Sequence, residues 1–309
     1  MGLPKAASKY FQNEIFAKLN DYEVLSDPKR YRRLRILTEK IFYRPYKSND
    51  LNIDLIDSFI NELSHLIRRS KKRKFIFSCE AVLNFYRFNG EQNIRNLSKI
   101  ANFLSVKNFI QIKTFMVIRK QTDLIHSIYA YSYDIFRNEF SNISNFIEKP
   151  LENRHRKLFE YLDYNKLYNH LENNLGTKTQ ILLFEELTEN PVSFIKEIEN
   201  IMEVNINIEK IRFEKINSIS DGEAKNIYSS FYYDLLNIHK LLQKNFIYNR
   251  IMSKRFRNLL KFLFRLSPKN KVILDNNSTN KIRQIYDIRN KDFSISQSLH
   301  YKMKRLGYF

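Results

Sequence analysis

Cysteine, glycine and proline are scarce in this chain of 309 residues. The single cysteine, Cys79, excludes a disulfide framework and any metal cluster built from several cysteines. Five glycines and six prolines leave no room for a collagen-like repeat, a glycine-rich linker or a proline-rich segment. No apolar run approaches the roughly 20 residues of a membrane span, and the first residues lack the apolar core of a signal peptide. We therefore expect a cytoplasmic protein.

Positive charge is what the chain has in excess. Lys and Arg number 53 against 33 Asp and Glu, so the formal net charge is +20. Such an excess suits a nucleic acid, an anionic membrane face, a polyanionic glycan or a phosphate-rich cofactor. A hydrophobic content of 43% and an aromatic content of 14% are typical of a folded chain and exclude disorder as the main interpretation. The basic clusters at 29–35, 68–74 and 254–265 also fit solvated helix faces and helix ends.

Short apolar runs alternate with segments of helical periodicity along the chain. The predicted strands are 74–79, 110–119 and 179–184, and the predicted helices are 5–19, 51–67, 93–104, 124–136, 158–175 and 192–202. This alternation predicts an α/β fold with a parallel sheet, in one domain over 1–309 that carries extra helices at about 225–309. Ligands of such folds lie outside the carboxyl ends of the strands, where Glu80, Arg119 and Glu185 stand here.

The first residues form a candidate anion site. The run Gly2-Leu3-Pro4-Lys5-Ala6-Ala7-Ser8 leads directly into an amphipathic helix, and free N–H groups at a helix start attract anions. Lys5 and Lys9 add positive charge. The run is not a Walker A loop, in which the lysine follows the last glycine, because Lys5 precedes the small residues. Small residues before a helix also have a purely structural interpretation.

A second candidate site joins Arg119, at the end of a predicted strand, to Ser127 on the helix that follows. A guanidinium holds a phosphate in a forked contact, and a hydroxyl eight residues later completes the contact. Arg119 equally fits an ion-paired surface residue or a helix cap, so this pair alone leaves both interpretations open.

Together these elements resemble the sulfotransferases that use 3′-phosphoadenosine 5′-phosphosulfate (PAPS). Residues 2–8 resemble the 5′-phosphosulfate loop of that family, and Arg119 and Ser127 match its 3′-phosphate motif, including the spacing. Residues 181–194 are similar to a third family stretch, in which a strand is followed by two acidic residues, a leucine and a proline-led helix. The resemblance extends over about residues 1–205 and looks like the bacterial version of these motifs.

The resemblance implies a P-loop-like parallel sheet flanked by helices, and direct in-line transfer of sulfonate from PAPS to a hydroxyl without a metal. The product nucleotide is then adenosine 3′,5′-bisphosphate. Lys5 is implied as the catalytic residue that stabilises charge on the leaving oxygen. The cofactor-binding residues that the resemblance implies are Lys5, Ala6, Ala7, Ser8, Lys9, Arg119 and Ser127. Of these, Arg119 and Ser127 hold the 3′-phosphate and the others hold the 5′-phosphosulfate.

Glu80 is the candidate catalytic base, because glycan and protein sulfotransferases often carry a carboxylate after this strand. An ordinary strand-end carboxylate paired with a lysine is the alternative interpretation. His126 is the rival base, although its place beside Ser127 predicts that it points away from the cofactor. The expected acceptor is a bacterial polysaccharide or glycolipid, with no nucleic-acid partner. The basic amphipathic segment 251–266 predicts either a packed peripheral helix or contact with the anionic inner face of the membrane.

Two other functions compete with this hypothesis. A nucleotide-dependent kinase is disfavoured because the chain lacks a Gly-Lys-Ser/Thr loop. A basic nucleic-acid or polyanion-binding protein without catalysis is the alternative from another class, although no RRM or KH signature occurs. Residues 217–222 are a weak candidate for the family's glycine-rich cofactor loop. Because a strand should precede the first loop and only four residues precede Lys5, we expect the true start of the protein upstream of Met1.

Overall fold

The structure is a computed structural model. It describes residues 6, 8–25, 30–43, 53–85, 87–108, 111–140, 142–149, 156–213, 225–228, 269–293 and 295–309. The predictions for Lys5, for Ala7, for the segment 217–222, for the basic cluster 254–265 and for the amphipathic helix 251–266 lie outside these residues, as does the side chain of Lys9.

Helices and short strands alternate in the described chain. The helices are α1 Ser8–Tyr10, α2 Arg32–Phe42, α3 Ile53–Arg69, α4 Gly90–Asn108, α5 Gln121–Tyr131, α6 Tyr133–Phe136, α7 Ile143–Glu148, α8 Arg156–Tyr161, α9 Tyr164–Leu175, α10 Phe184–Glu189, α11 Pro191–Met202, α12 Asn276–Asp292 and α13 Gln297–Arg305. The strands are β1 Tyr22–Val24, β2 Lys74–Ile76, β3 Thr114–Ile118, β4 Thr179–Leu183, β5 Lys225–Tyr228 and β6 Lys269–Val272. Across the described ranges, no helix has both the length and the apolar character needed to cross a membrane.

The strands pair in twos. Strand β1 pairs with β2 and β3 pairs with β4, both in parallel, whereas β5 and β6 are antiparallel. The predicted α/β class with parallel strand pairing is therefore confirmed. The described strands form separate two-stranded sheets, where the sequence predicted one sheet. The C-terminal third, predicted as helical, contributes α12 and α13 and also the strand pair β5–β6.

The chain divides into two compact units. The first unit comprises 1–124, 150–218 and 282–309, and the second comprises 125–149 and 219–281. Within the first unit, α9, α10 and α11 pack on β4, and α4 packs on α3 and α9. The two parallel strand pairs that precede Glu80 and Arg119 thus both belong to the first unit.

Aromatic rings form much of the core. In the first unit Phe11 lies 6.0 Å from Phe115 of β3 and 5.8 Å from Phe194 of α11, measured between ring centroids. In the second unit Phe146 lies 5.4 Å from Tyr129 and 4.5 Å from Phe136. Buried rings contribute a large apolar area, and these contacts fix the helices that carry them.

Local signals in the sequence set several helix ends. Gly176 ends α9 with a φ of 64°, a left-handed conformation that glycine adopts without steric cost. Asn190 caps α11 by accepting a hydrogen bond from the Ser193 N–H, and Pro191 is the first helical residue, as predicted. The predicted helix 158–175 is divided in two, because the Asp163 side chain accepts from the Lys166 N–H and begins α9.

Candidate functional site

The helical segment 8–18 begins the first unit with two buried hydroxyl groups. It consists of α1, a π-helical turn at Phe11–Ile15 and a 3₁₀ turn at Phe16–Lys18. Ser8 Oγ and the Tyr10 hydroxyl are buried, and neither has a hydrogen-bond partner among the residues that the structure describes. Burial, with a smaller effect of the Glu14 charge, raises the pKa of Tyr10 to about 12. A buried hydroxyl without a partner is costly, so both groups are candidates to contact a polar ligand.

The segment 8–18 contacts both parallel strand pairs. Gln12 Nε2 donates to Ser78 Oγ at 3.2 Å, two residues before Glu80 on the continuation of β2. On the same segment Phe11 contacts Phe115 of β3, the strand that leads to Arg119. The segment that follows the predicted phosphate loop therefore contacts the element that leads to Glu80 and the strand that leads to Arg119.

Glu80 begins a 3₁₀ turn, Glu80–Leu83, and is half-buried. Asn93 holds this turn, because its Nδ2 donates to the carbonyls of Ala81 and Phe42, both at 2.8 Å. Burial raises the pKa of the neighbouring Cys79 thiol to about 12, and the Glu80 charge acts in the same direction. A buried thiol of this kind is a poor nucleophile, which leaves the Glu80 carboxylate as the candidate base at this strand end.

Arg119 follows β3 and is almost completely buried, with 6% of its surface exposed. Its guanidinium lies 4.5 Å from the ring centroid of Phe184, the residue that begins α10. The Arg119 carbonyl accepts a hydrogen bond from the buried Tyr164 hydroxyl. A cation stacked on an aromatic face is held in one position, which suits forked binding of an anion.

Glu185 lies beside Arg119 at the end of β4. Its Oε1 accepts from the Lys120 N–H at 2.9 Å, and its Oε2 accepts from the Tyr308 hydroxyl at 2.5 Å. Burial raises the pKa of Glu185, while these hydrogen bonds and the Arg119 charge act to lower it. The Tyr308 hydroxyl also lies 3.3 Å from the Ile118 carbonyl.

A reciprocal amide pair extends this buried network. Gln121 Nε2 donates to Asn290 Oδ1 at 2.9 Å, and Asn290 Nδ2 donates back to Gln121 Oε1 at 3.0 Å. Asn290 Nδ2 also donates to the Tyr308 carbonyl at 2.8 Å. No local signal in the sequence indicated these partners, because they are distant along the chain.

Ser127 and His126 lie on α5, in the part that belongs to the second unit, whereas Arg119 and Glu80 belong to the first. Ser127 is half-buried. His126 is buried, and its Nε2 lies 2.9 Å from the Val272 carbonyl oxygen. Since a carbonyl only accepts, this nitrogen carries the proton and donates.

The first unit contains hydroxyls at Ser8 and Tyr10 that have no partner in the described ranges, a guanidinium at Arg119 stacked on Phe184 and a half-buried carboxylate at Glu80. Hydroxyl donors and a guanidinium suit a phosphorylated ligand, and a carboxylate can accept a proton from a hydroxyl. Comparison with known proteins adds no relative: no protein-family model, no curated protein and no solved structure matches this chain.

Proposed function

We propose that this protein is a PAPS-dependent sulfotransferase with a P-loop-like fold, which transfers sulfonate to a hydroxyl of a glycan or glycolipid. One observation carries the proposal: the segment 8–18 begins with a buried Ser8 hydroxyl that has no partner among the described residues, and it contacts both the strand leading to Glu80 and the strand leading to Arg119. This reaction needs a phosphate loop, a base and an anion-binding arginine together, and the contacts of segment 8–18 with the strands that lead to Glu80 and Arg119 support that arrangement.

The residues present fit the nucleotide. A phosphate accepts hydrogen bonds only, so it satisfies a buried hydroxyl donor such as Ser8 Oγ and a guanidinium such as Arg119. We assign the 5′-phosphosulfate to Lys5, Ala6, Ala7, Ser8 and Lys9, and the 3′-phosphate to Arg119. When bound, PAPS supplies the sulfonate group and a phosphate leaving group.

Lys5 and Glu80 divide the chemistry in this proposal. The Lys5 ammonium stabilises negative charge as it develops on the leaving oxygen. Glu80 accepts the proton of the acceptor hydroxyl, and the hydrogen bonds of Asn93 keep its turn in place. The donation from His126 Nε2 to the Val272 carbonyl supports Glu80, rather than the histidine, as the base.

Exposed cations favour a polyanionic partner and keep a binding protein as the second candidate. Arg69, Lys71 and Arg73 are exposed, and none forms an ion pair with an acidic residue in the described ranges. Arg69 ends α3, and Lys71 and Arg73 lie between α3 and β2, at the amino end of that strand, whereas Glu80 follows its carboxyl end. An anionic glycan acceptor or an RNA would neutralise these charges. The sulfotransferase should bind adenosine 3′,5′-bisphosphate and the binding protein should bind RNA, so one titration distinguishes the two functions.

Calorimetric titration with adenosine 3′,5′-bisphosphate, AMP, ATP and a short RNA tests the proposal. The protein should prefer the bisphosphate, and Arg119→Ala should weaken its binding about ten- to a hundredfold more than the binding of AMP. Arg33→Ala is the control, because it removes a guanidinium that pairs with Glu62 at 3.3 Å between α2 and α3 of the same unit. Equal weakening of the bisphosphate and AMP would refute the assignment of Arg119. Binding of RNA alone would establish the second candidate instead.

A further inference from the structure

We infer that Tyr308 and Glu185 are positioning residues for Arg119 and thereby determine how strongly the site prefers a 3′-phosphorylated nucleotide. This inference rests on the proposed function and deepens it, because it names what sets the specificity of the same site. Neither residue needs to touch the nucleotide. Both act by fixing the strand end that carries the arginine.

The backbone around Arg119 is held on both sides. Its carbonyl accepts from the Tyr164 hydroxyl, and the next N–H, that of Lys120, donates to Glu185 Oε1 at 2.9 Å. The other oxygen of the same carboxylate accepts from Tyr308 at 2.5 Å. One carboxylate therefore joins the residue after Arg119 to the turn that follows α13.

Backbone hydrogen bonds on both sides hold Tyr308 in position. Gly307 adopts a φ of 72°, which lets the chain turn back after α13. The Tyr308 N–H then donates to the Met303 carbonyl at 3.0 Å, and its own carbonyl accepts from Asn290. With its ring 2% exposed, Tyr308 presents its hydroxyl to Glu185 from a fixed frame.

Fixing Arg119 matters because its guanidinium is the group assigned to the 3′-phosphate. The guanidinium stacks on Phe184, the residue immediately before Glu185. A shift of the Glu185 carboxylate should therefore displace both the backbone after Arg119 and the Phe184 ring on which the guanidinium stacks. A guanidinium that is already ordered loses less rotamer freedom when it binds a phosphate. If the Arg119 side chain becomes less ordered, its affinity for the 3′-phosphate should therefore fall.

The test compares two tyrosines that differ in location but not in burial. Tyr308→Phe removes only the hydroxyl that donates to Glu185. Tyr286→Phe is the matched control, because Tyr286 is also 2% exposed and donates to the Phe159 carbonyl at 2.9 Å. Each variant is titrated with adenosine 3′,5′-bisphosphate and with AMP, and its thermal unfolding is recorded.

We expect Tyr308→Phe to lower the preference for the bisphosphate over AMP by about tenfold, as for loss of one hydrogen bond to a charged group. Tyr286→Phe should lower thermal stability to a similar degree but leave that preference unchanged. If Tyr308 acts through Glu185, adding Tyr308→Phe to Glu185→Gln should cause little further loss, because the two changes then interrupt one path.

The outcomes separate this inference from the proposed function. A wild-type protein that binds the bisphosphate no better than AMP refutes both. A wild-type preference that survives in Tyr308→Phe, or that falls equally in Tyr286→Phe, refutes the positioning role and leaves the proposed function intact. Should Tyr308→Phe fail to fold, Glu185→Asp gives the same readout, since it keeps the charge but shortens its reach.

Discussion

Replacing Gly90 by a larger residue should destabilise the fold, because there is no room for a Cβ atom at this position. A Cβ atom placed on Gly90 would lie 2.5 Å from Phe85 Cδ1 and 2.6 Å from Phe85 Cε1. The ring cannot retreat easily, because it is 1% exposed and stacks on Tyr161 at a centroid distance of 4.3 Å. Overpacking of this kind costs about 1–3 kcal/mol. Replacing glycine in a helix by alanine recovers at most about 1 kcal/mol, and less at the first residue of α4.

Gly90→Ala should therefore lower the free energy of unfolding by about 1–2 kcal/mol, and the melting temperature by about 2–8 °C. Urea unfolding of Gly90→Ala, of Phe85→Leu and of the double variant measures the coupling. Leucine lacks the rigid ring and its Cε1 atom and can rotate its Cδ atoms away from the added Cβ, so the double variant should be more stable than the sum of the single losses predicts.

Gly176→Ala is the control for that experiment. Its Cβ would meet no atom within 4 Å, so its cost arises only from the φ of 64°, at about 1–2 kcal/mol. Phe85→Leu should leave that cost unchanged. Additive losses for Gly90→Ala and Phe85→Leu, or a Gly90→Ala variant as stable as the wild type, would refute the steric argument.

Three further predictions concern the strand end at Glu80 and a charged cluster on α4. Glu80→Gln should slow sulfonate transfer from radiolabelled PAPS to a cell-envelope glycan by about 10²–10⁴ while calorimetry shows unchanged affinity for the bisphosphate; unchanged turnover would exclude Glu80 as the base. Asn93→Ala removes the hydrogen bonds to the buried carbonyls of Phe42 and Ala81, and urea unfolding should show a loss of about 1–3 kcal/mol in the free energy of unfolding. Because Ala81 belongs to the turn that carries Glu80, the variant should also have a reduced turnover. Burial raises the pKa of Glu91, but hydrogen bonds from Lys157 and Tyr161 outweigh it and leave the pKa below its ordinary 4.5. The Glu91 carboxylate therefore stabilises the fold above about pH 4.5, and this stabilisation is lost as the pH falls through the lower pKa of the folded state. The difference in free energy of unfolding between wild type and Glu91→Gln, measured by urea unfolding, should shrink over that fall in pH.

Local signals in the sequence predicted the elements that they determine. The apolar spacing of 51–67 predicted α3, and the runs at 110–119 and 179–184 predicted β3 and β4, which pair in register from Thr114 with Thr179 to Ile118 with Leu183. Glycine and the Asn-Pro pair predicted the end of α9 and the start of α11. Each of these signals depends on residues within one or two turns of the chain.

Features that depend on distant residues could not be predicted in the same way. Strand β1 has three residues, too few for a periodicity, and exists because it pairs with β2 about fifty residues later. At the candidate site, the position of Arg119 at a strand end could be predicted. Its surroundings could not, because Glu185 and Tyr308 reach it only through the tertiary fold.

The partners that close the strand end at Arg119 also impose an order on folding. Gln121 and Asn290 are 169 residues apart, and Glu185 is made 123 residues before Tyr308. At a synthesis rate of about 5–20 residues per second, roughly 6–25 s pass between the synthesis of Glu185 and the synthesis of Tyr308. Contacts of such high sequence separation form slowly, because a long loop must close before they are gained. The strands can pair early, but the buried carboxylate between them acquires its phenol donor only in a late docking step.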